Sequence, residues 1–262
     1  MVRHDDLGGV VRAEFSTPRT RMIGYSVSCY LVDGLVVDAA APVVRRDFSA
    51  WIRATRPAGV LVTHRHEDHA GNVNWLAKHG VPVGMAAATR AALAAPGPVG
   101  LYRRLVWHEM RPLTREPAPF APAHAMLVAT PGHSSDHHAV WLPDRQWLFG
   151  GDLFLGVKVR VAHPGEDPAA LLRSLRAAIA LRPVRLFDAH RGEVRDPIGA
   201  LTAKVDWLEA TIARIRDLHA RGWPQPKIRD AVLGREELAG YFSRGDYSRG
   251  NLVRSVLRDV AD

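Results

Sequence analysis

The stretch Thr63-His64-Arg65-His66-Glu67-Asp68-His69-Ala70-Gly71-Asn72 constrains this chain more than any other. Three imidazoles and the carboxylate of Asp68 fall within six residues, His64 to His69. The β-branched run Gly59-Val60-Leu61-Val62 before it reads as a buried strand. After it, Val73, Leu76 and Ala77 recur at helical spacing. The segment is therefore a strand-to-helix loop at the carboxyl end of a strand, where open α/β sheets carry their sites. His64 and His66 are two residues apart and can point to one side of an extended segment. Asp68 and His69 follow where the chain turns into the helix. One metal ion cannot easily use all four side chains in so tight a loop, whereas two neighbouring ions can. Imidazole and carboxylate donors without thiolate suit zinc, with iron or manganese as substitutes.

Three more motifs follow: Thr130-Pro131-Gly132-His133, Gly150-Gly151-Asp152 and Asp188-Ala189-His190. With His64-x-His66-x-Asp68-His69, their order and gaps resemble the metallo-β-lactamase superfamily from about Tyr25 to Gly192. The resemblance implies an α/β fold, an αββα sandwich with two metals in a cleft at one edge. It implies His64, His66 and His133 on the first metal, leaving a position for water, the mark of a catalytic site. Asp68, His69, Asp152 and His190 would hold the second, with one Asp152 oxygen directed to each ion. The expected cofactor is two Zn2+, or Fe or Mn in their place. A metal-bridging hydroxide is then the nucleophile, and Asp68 and Asp152 are ligands that also orient it. Asp38 stands where many members carry an aspartate that supports the site from behind; a turn-forming acid is the other reading. The sequence departs from the family at Asp188-Ala189-His190, where many members have Pro-Gly-His, so the backbone of that loop is expected to differ.

Composition narrows the rest. A 262-residue chain fits one full domain with room for an extension, and we divide it into a metallo-β-lactamase-fold domain over 1–192 and a C-terminal helical extension over 193–262. The lone Cys29 excludes an intramolecular disulfide and a thiolate zinc cage. No stretch approaches the roughly 20 apolar residues of a membrane span, and the charged N-terminus lacks the apolar segment of a secretory signal; a cytoplasmic protein is expected. The net charge of +8 invites a nucleic-acid partner. It is dispersed, however: residues 191–262 hold 13 basic and 11 acidic side chains, and no Lys/Arg run forms a basic arm.

In chain order, Val10 to Phe15 and Met22 to Leu31 read as strands broken at Thr17-Pro18, and Asp33-Gly34 as a hairpin turn into Leu35-Val36-Val37-Asp38. Arg45 to Ala54 reads as a helix with Phe48, Trp51 and Ile52 inward. Residues 85–123 form an insert, helical over 85–95 and around 101–108, then proline-rich; it is a candidate cover for the metal cleft. His108 and His124 fall outside any ligand motif. Ala125 to Ala129 and Ala139 to Leu142 read as strands. His137 and His138 face opposite ways; His137 is the better candidate to reach the site from behind or to meet substrate. Trp147 to Phe149 is the strand that leads to Asp152. Beyond it Lys158, Arg160 and His163 are candidates to hold a substrate carboxylate or phosphate. Asp167-Pro168 and Asp196-Pro197 are helix starts. The first opens a stripe of Leu171, Leu172, Leu175 and Ile179. The second opens one of Val205, Leu208, Ile212, Ile215 and Leu218. Val184 to Phe187 is the last strand. Shorter helices are expected at 228–233 and 252–260, in a tail that packs on the sandwich, lines the mouth or forms a homodimer contact.

These readings converge on a hydrolase acting on a small molecule, with a thioester, ester or lactone favoured because no separate general acid is visible and a thiolate leaves without one. A phosphodiesterase or small endoribonuclease is the alternative. A β-lactamase is disfavoured: Cys29 lies in the wrong place for the subgroup with a cysteine ligand, and the other subgroup lacks the bridging aspartate. The family's diiron flavoproteins carry glutamate where His66 stands. A non-catalytic binding protein would normally have lost ligands.

Overall fold

The computed structural model describes residues 1–258. Its first sheet comprises β1 (Val2–Asp6), β2 (Val11–Phe15), β3 (Val27–Val32), β4 (Leu35–Val37), β5 (Gly59–Leu61) and β6 (Val83–Gly84), adjacent in that order. The second runs β11-β10-β9-β8-β7, from β7 (Met126–Ala129), β8 (His138–Leu142), β9 (Trp147–Gly151), β10 (Arg185–Asp188) and β11 (Gly192–Val194). Pairing is antiparallel except β4–β5, β5–β6 and β9–β10. Those three parallel ladders need crossovers, which helices supply.

The helices are α1 (Pro18–Met22), α2 (Arg45–Thr55), α3 (Glu67–Ala70), α4 (Val73–Lys78), α5 (Ala87–Ala94), α6 (Leu101–Val106), α7 (Pro168–Ala180), α8 (Pro197–Ala220), α9 (Gln225–Val232), α10 (Leu238–Phe242) and α11 (Arg249–Arg258). None of them is long and apolar enough to cross a membrane.

Strand alternation sorts the apolar side chains into three layers. Tyr30, Val32, Val37 and Leu61 of the first sheet meet Val140, Leu142, Phe149 and Phe187 of the second. On the outer face of the first sheet, Ala13, Cys29, Val36 and Val60 pack with Phe48, Trp51 and Ile52 of α2. On the outer face of the second, Leu148, Trp141 and Leu186 share a cluster with Leu175 of α7 and with Leu201, Leu208, Ile215, Ile228 and Val253 of the tail helices. The result is an αββα sandwich whose last layer is built largely from the tail.

Several expectations need correction. Residues 22–26 do not extend the third strand, which begins at Val27. Thr17 caps a short helix through a reciprocal bond with Thr20, and Pro18 takes its first turn, so the segment coils where an extended chain was expected. The charged N-terminus forms edge strand β1, and β11 follows the last expected strand. On α7 only Leu175 of the four stripe residues is fully buried; Ala170, Ser174 and Ala178 face inward, small residues that let α7 lie close against α8. The five stripe residues of α8 are all buried. The end of the helix expected at 252–260 reaches beyond the described residues.

Candidate metal centre

Each site residue comes from a loop at one edge of the sandwich. β5 ends at Leu61 and delivers His64, His66, Asp68 and His69; β7, β9 and β10 deliver His133, Asp152 and His190. The structure brings all seven together in two groups, His64–His66–His133–Asp152 and Asp68–His69–His190, with ligand atoms within 4.8 Å of one another inside each. His66 Nδ1 lies 2.9 Å from His133 Nε2. Asp152 sits between the groups. Its Oδ2 is 3.2 Å from His133 Nε2, and its Oδ1 is 3.2 Å from both His69 Nε2 and His190 Nε2. Asp68 Oδ2 is 3.4 Å from His190 Nε2 and 3.8 Å from His69 Nε2.

The donor set fits bound cations. His64 Nε2, His69 Nε2 and Asp152 Oδ1 are buried without a hydrogen-bond partner, a costly arrangement unless something else satisfies them. Among the described residues no Lys or Arg pairs with Asp68 or Asp152; their only cationic partners are imidazoles. The titrations follow the same logic. Burial opposes charge on His133 and His190, but Asp152 overrides it and holds them up at about 10 and about 9. His69 is raised too, burial being overcome by Asp152, Asp38 and Asp68. Asp152 is held well below the carboxylate range, its burial outweighed by His69, His190 and His133. His64 and His66 are lowered by burial and then by neighbouring imidazoles. The carboxylates thus demand positive charge, which protons or metal ions can supply in competition.

A further set of groups holds these side chains in place. Asp38, buried and at φ 67°, accepts from the Thr63 backbone N–H (2.8 Å) and Thr63 Oγ1 (2.9 Å) and faces His69 Nδ1 at 2.8 Å. Thr63 Oγ1 also lies 3.0 Å from His64 Nδ1. One buried carboxylate therefore orients a histidine in each group. His190 Nδ1 donates to the Ser26 carbonyl at 2.6 Å. Asn72 donates to the carbonyls of Ala39 and Ala41, tying the loop after Asp38 to the ligand segment. His137 is fully buried, which removes it from any contact with substrate. Its Nε2 accepts the Asp152 backbone N–H at 3.1 Å, so its Nδ1 carries the proton, facing Thr130 Oγ1 at 2.8 Å. Burial, then His133, pushes it down to about 3, in keeping with a neutral ring. Gly151 at φ 52° is required beside it: a Cβ there would lie 2.9 Å from His137 Nε2 and 3.0 Å from Thr63 Oγ1.

Asp188 explains the departure at the last motif. It is fully buried, and Oδ1 accepts the backbone N–H groups of His190 and Arg191, each at 2.8 Å, while Oδ2 accepts that of Leu155 at 2.6 Å. It clamps the loop bearing His190 to the loop after Asp152. Buried Lys204 of α8 donates to the Phe154 carbonyl in that second loop.

The groups open into a cleft of about 430 Å³. Lys158 and Arg160 line it, both exposed and, among the described residues, without an ion-pair partner. The 85–123 insert contributes Tyr102, Arg103 and Trp107, and the tail contributes Glu237, Tyr247 and Arg249. Arg103 reaches into the ligand loop, where two of its nitrogens donate to buried Glu67. His108 and His124 are not part of the cleft. The roles of Thr63, Ser26, Asp188 and the Arg103–Glu67 pair escaped the sequence reading; Thr63 and Glu67, beside and within the motif, and Asp188, at the departure from it, carried a local signal.

Known proteins resemble this chain in sequence and in fold. The family model of the metallo-beta-lactamase superfamily matches residues 22–190. A hydroxyacylglutathione hydrolase of Rhodopseudomonas palustris (strain BisA53) is 27% identical over 224 residues, covering 83% of this chain and 82% of its own. A beta-lactamase-like protein 2 homolog of Drosophila melanogaster is 30% identical over 148 residues, 54% of this chain and 47% of its own. Among solved structures, a metallo-beta-lactamase family protein from Thermus thermophilus superposes with a TM-score of 0.69 at 18% identity, covering 97% of this chain and 95% of its own. A metallo-beta-lactamase from Erythrobacter litoralis gives 0.60 at 19% identity, covering 80% of this chain and 96% of its own. The family match spans more than half of the chain and takes in every one of the seven converging side chains, and so this chain belongs to the metallo-beta-lactamase superfamily.

Proposed function

We propose that this protein is a dinuclear zinc hydrolase that cleaves a thioester, with His64, His66 and His133 holding one ion, Asp68, His69 and His190 the other, and Asp152 shared. The observation that carries the reading is the position of Asp152, with Oδ2 directed at His133 and Oδ1 at His69 and His190. Ions held there would supply Lewis acidity toward the substrate carbonyl and lower the pKa of a water. The chain's own residues do the rest. Asp68 and Asp152, at the floor of the cleft, can accept a hydrogen bond from the attacking water and fix its direction. Asp38, through Thr63 and His69, keeps the imidazoles turned inward. The insert and the tail wall the cleft. No residue need protonate a departing thiolate, and the hydroxyacylglutathione hydrolase relatives are in keeping with that class.

The unpaired Lys158 and Arg160 favour a second reading, phosphodiester cleavage. A paired assay separates the two: a glutathione thioester against bis(p-nitrophenyl) phosphate on zinc-loaded protein, each with and without chelator. Chelator-sensitive thioester cleavage is expected, and diester cleavage alone would replace the thioester reading. His66→Ala should lose metal by elemental analysis and abolish turnover while the far-ultraviolet circular dichroism persists. Retention of both metal and activity would refute the site.

A further inference from the structure

Two kinds of surface lead away from the metal groups. One is cationic: Lys158, Arg160 and Arg191, the last tied to the same loop by a 3.1 Å bond from its Nε to the Leu155 carbonyl. The other is aromatic and is assembled from three distant segments. Tyr25 follows α1, Tyr102 and Trp107 come from α6 and its end, and Tyr247 comes from the tail. Tyr25 and Trp107 meet edge to face at 6.3 Å. The tail is pinned there by paired backbone bonds between Ala162 and Ser248 at 3.1 and 3.2 Å.

Exposed aliphatic side chains flank these aromatic residues in the chain. Arg19 of α1 donates to the Leu105 carbonyl of α6 at 3.3 Å, so the two helices adjoin. They expose Met22 (84%), Ile23 (43%), Leu101 (54%) and Leu105 (51%), within three residues of cleft-lining Tyr25, Tyr102 or Trp107. Large apolar side chains grouped at the mouth of a site mark a surface that meets an apolar partner.

We infer that the acyl half of the substrate is a long apolar chain that leaves the metal groups along the Tyr25–Tyr102–Trp107 surface and lies on the α1–α6 rim, while an anionic thiol arm lies on the cations. This rests on the thioester reading. In the reaction the water oxygen bonds to the carbonyl carbon, the C–S bond breaks, and the products are the carboxylate and the thiol, with one proton released to solvent at neutral pH. A short, polar acyl group would leave the rim without function; a long one covers it. Each methylene that reaches the rim strengthens binding by about fourfold at full burial, and by about twofold on a half-open surface.

The test uses S-alkyl glutathiones, thioethers that cannot be hydrolysed, titrated calorimetrically into zinc-loaded protein. From S-methyl to S-octyl the Kd should fall by about 100-fold. In L101S/L105S, at exposed positions that do not support the core, the fall should shrink below about 10-fold. K158A/R160A should weaken every member by a similar factor and leave the dependence on chain length intact. A Kd indifferent to chain length, or a dependence unchanged in L101S/L105S, overturns the inference. Chelator-sensitive hydrolysis of S-acetylglutathione and S-octanoylglutathione is measured beside it: absence of both refutes the thioester reading, whereas cleavage of either with a flat alkyl series refutes the acyl-chain assignment alone. Displacement of S-octylglutathione by a single-stranded RNA that the protein then cleaves would also overturn it.

Discussion

Replacing Arg103 with methionine should unfold more than the cleft wall to which it belongs. The Glu67 side chain is only 4% exposed and Arg103 17%, and both Nε, at 3.1 Å, and Nη2 donate to Glu67 Oε2. Burial already pushes the Glu67 carboxyl above its ordinary range, with Arg103 opposing the rise. The introduced thioether side chain fills much of the space but leaves a buried carboxylate unpaired, a change that costs about 3–5 kcal/mol. The partial exposure of Arg103 admits some water, so about 3 kcal/mol is expected. Glu67→Gln alone should cost about 1–2 kcal/mol, because the guanidinium keeps access to the cleft. The pair E67Q/R103M should cost only about 1–2 kcal/mol, less than R103M alone, which corresponds to a coupling of about 3 kcal/mol in the cycle. Urea unfolding followed by tryptophan fluorescence, with equal metal content in all four proteins, measures this. Because Glu67 lies between His66 and Asp68, R103M should also release metal to chelator faster. A cost below about 1 kcal/mol in R103M, or a double variant no better than R103M, would refute the claim that this pair holds the insert to the ligand loop.

Three further outcomes follow from the supporting groups. Thr63→Val removes the hydroxyl between Asp38 and His64 and should weaken metal binding by about 10–100-fold in chelator competition. Asp188→Ala strands three backbone N–H donors and should cost about 2–4 kcal/mol, whereas Asp188→Asn should keep part of that stability. Lys204 gives a pH signature. Burial pushes its ammonium down to about 8 from an ordinary 10.5, so the unfolded chain binds the extra proton between those values, and stability rises with pH there. From pH 7.5 to 9.5 the wild type should gain about 2 kcal/mol relative to Lys204→Met in urea titrations; parallel curves would show that Lys204 is not held in this way.

What was legible in the sequence depended on range. Strands and the α8 stripe could be read because periodicity is local, and the ligand spacing of His64 to His69 set its own geometry. Thr17-Pro18 was legible only as a break between two strands, yet the pair starts a helix that takes in Met22. The groups that orient the site were hidden for a different reason. The Ser26 carbonyl and His190 are 164 residues apart, and any residue could supply that oxygen. Asp188 was seen only as a departure from a pattern, since its role lies in backbone donors that no side-chain motif records. His137 was a candidate for the cleft, but in the turn before β8 its Nε2 is taken by the Asp152 backbone N–H.

The tail also bears on how the molecule is made. Synthesis runs from the N-terminus, so every side chain of the two metal groups has been added to the chain before α8 is begun. At that moment Leu148, Leu175 and Leu186 still lack their covering helix, and Tyr247 and Arg249 do not yet exist. A nascent chain can thus acquire its donor set while it has neither a sealed outer face nor a finished cleft. A premature stop within α8 would yield a fragment that holds all seven donor residues yet exposes an apolar sheet, a substrate for chaperones and proteases rather than a slow enzyme.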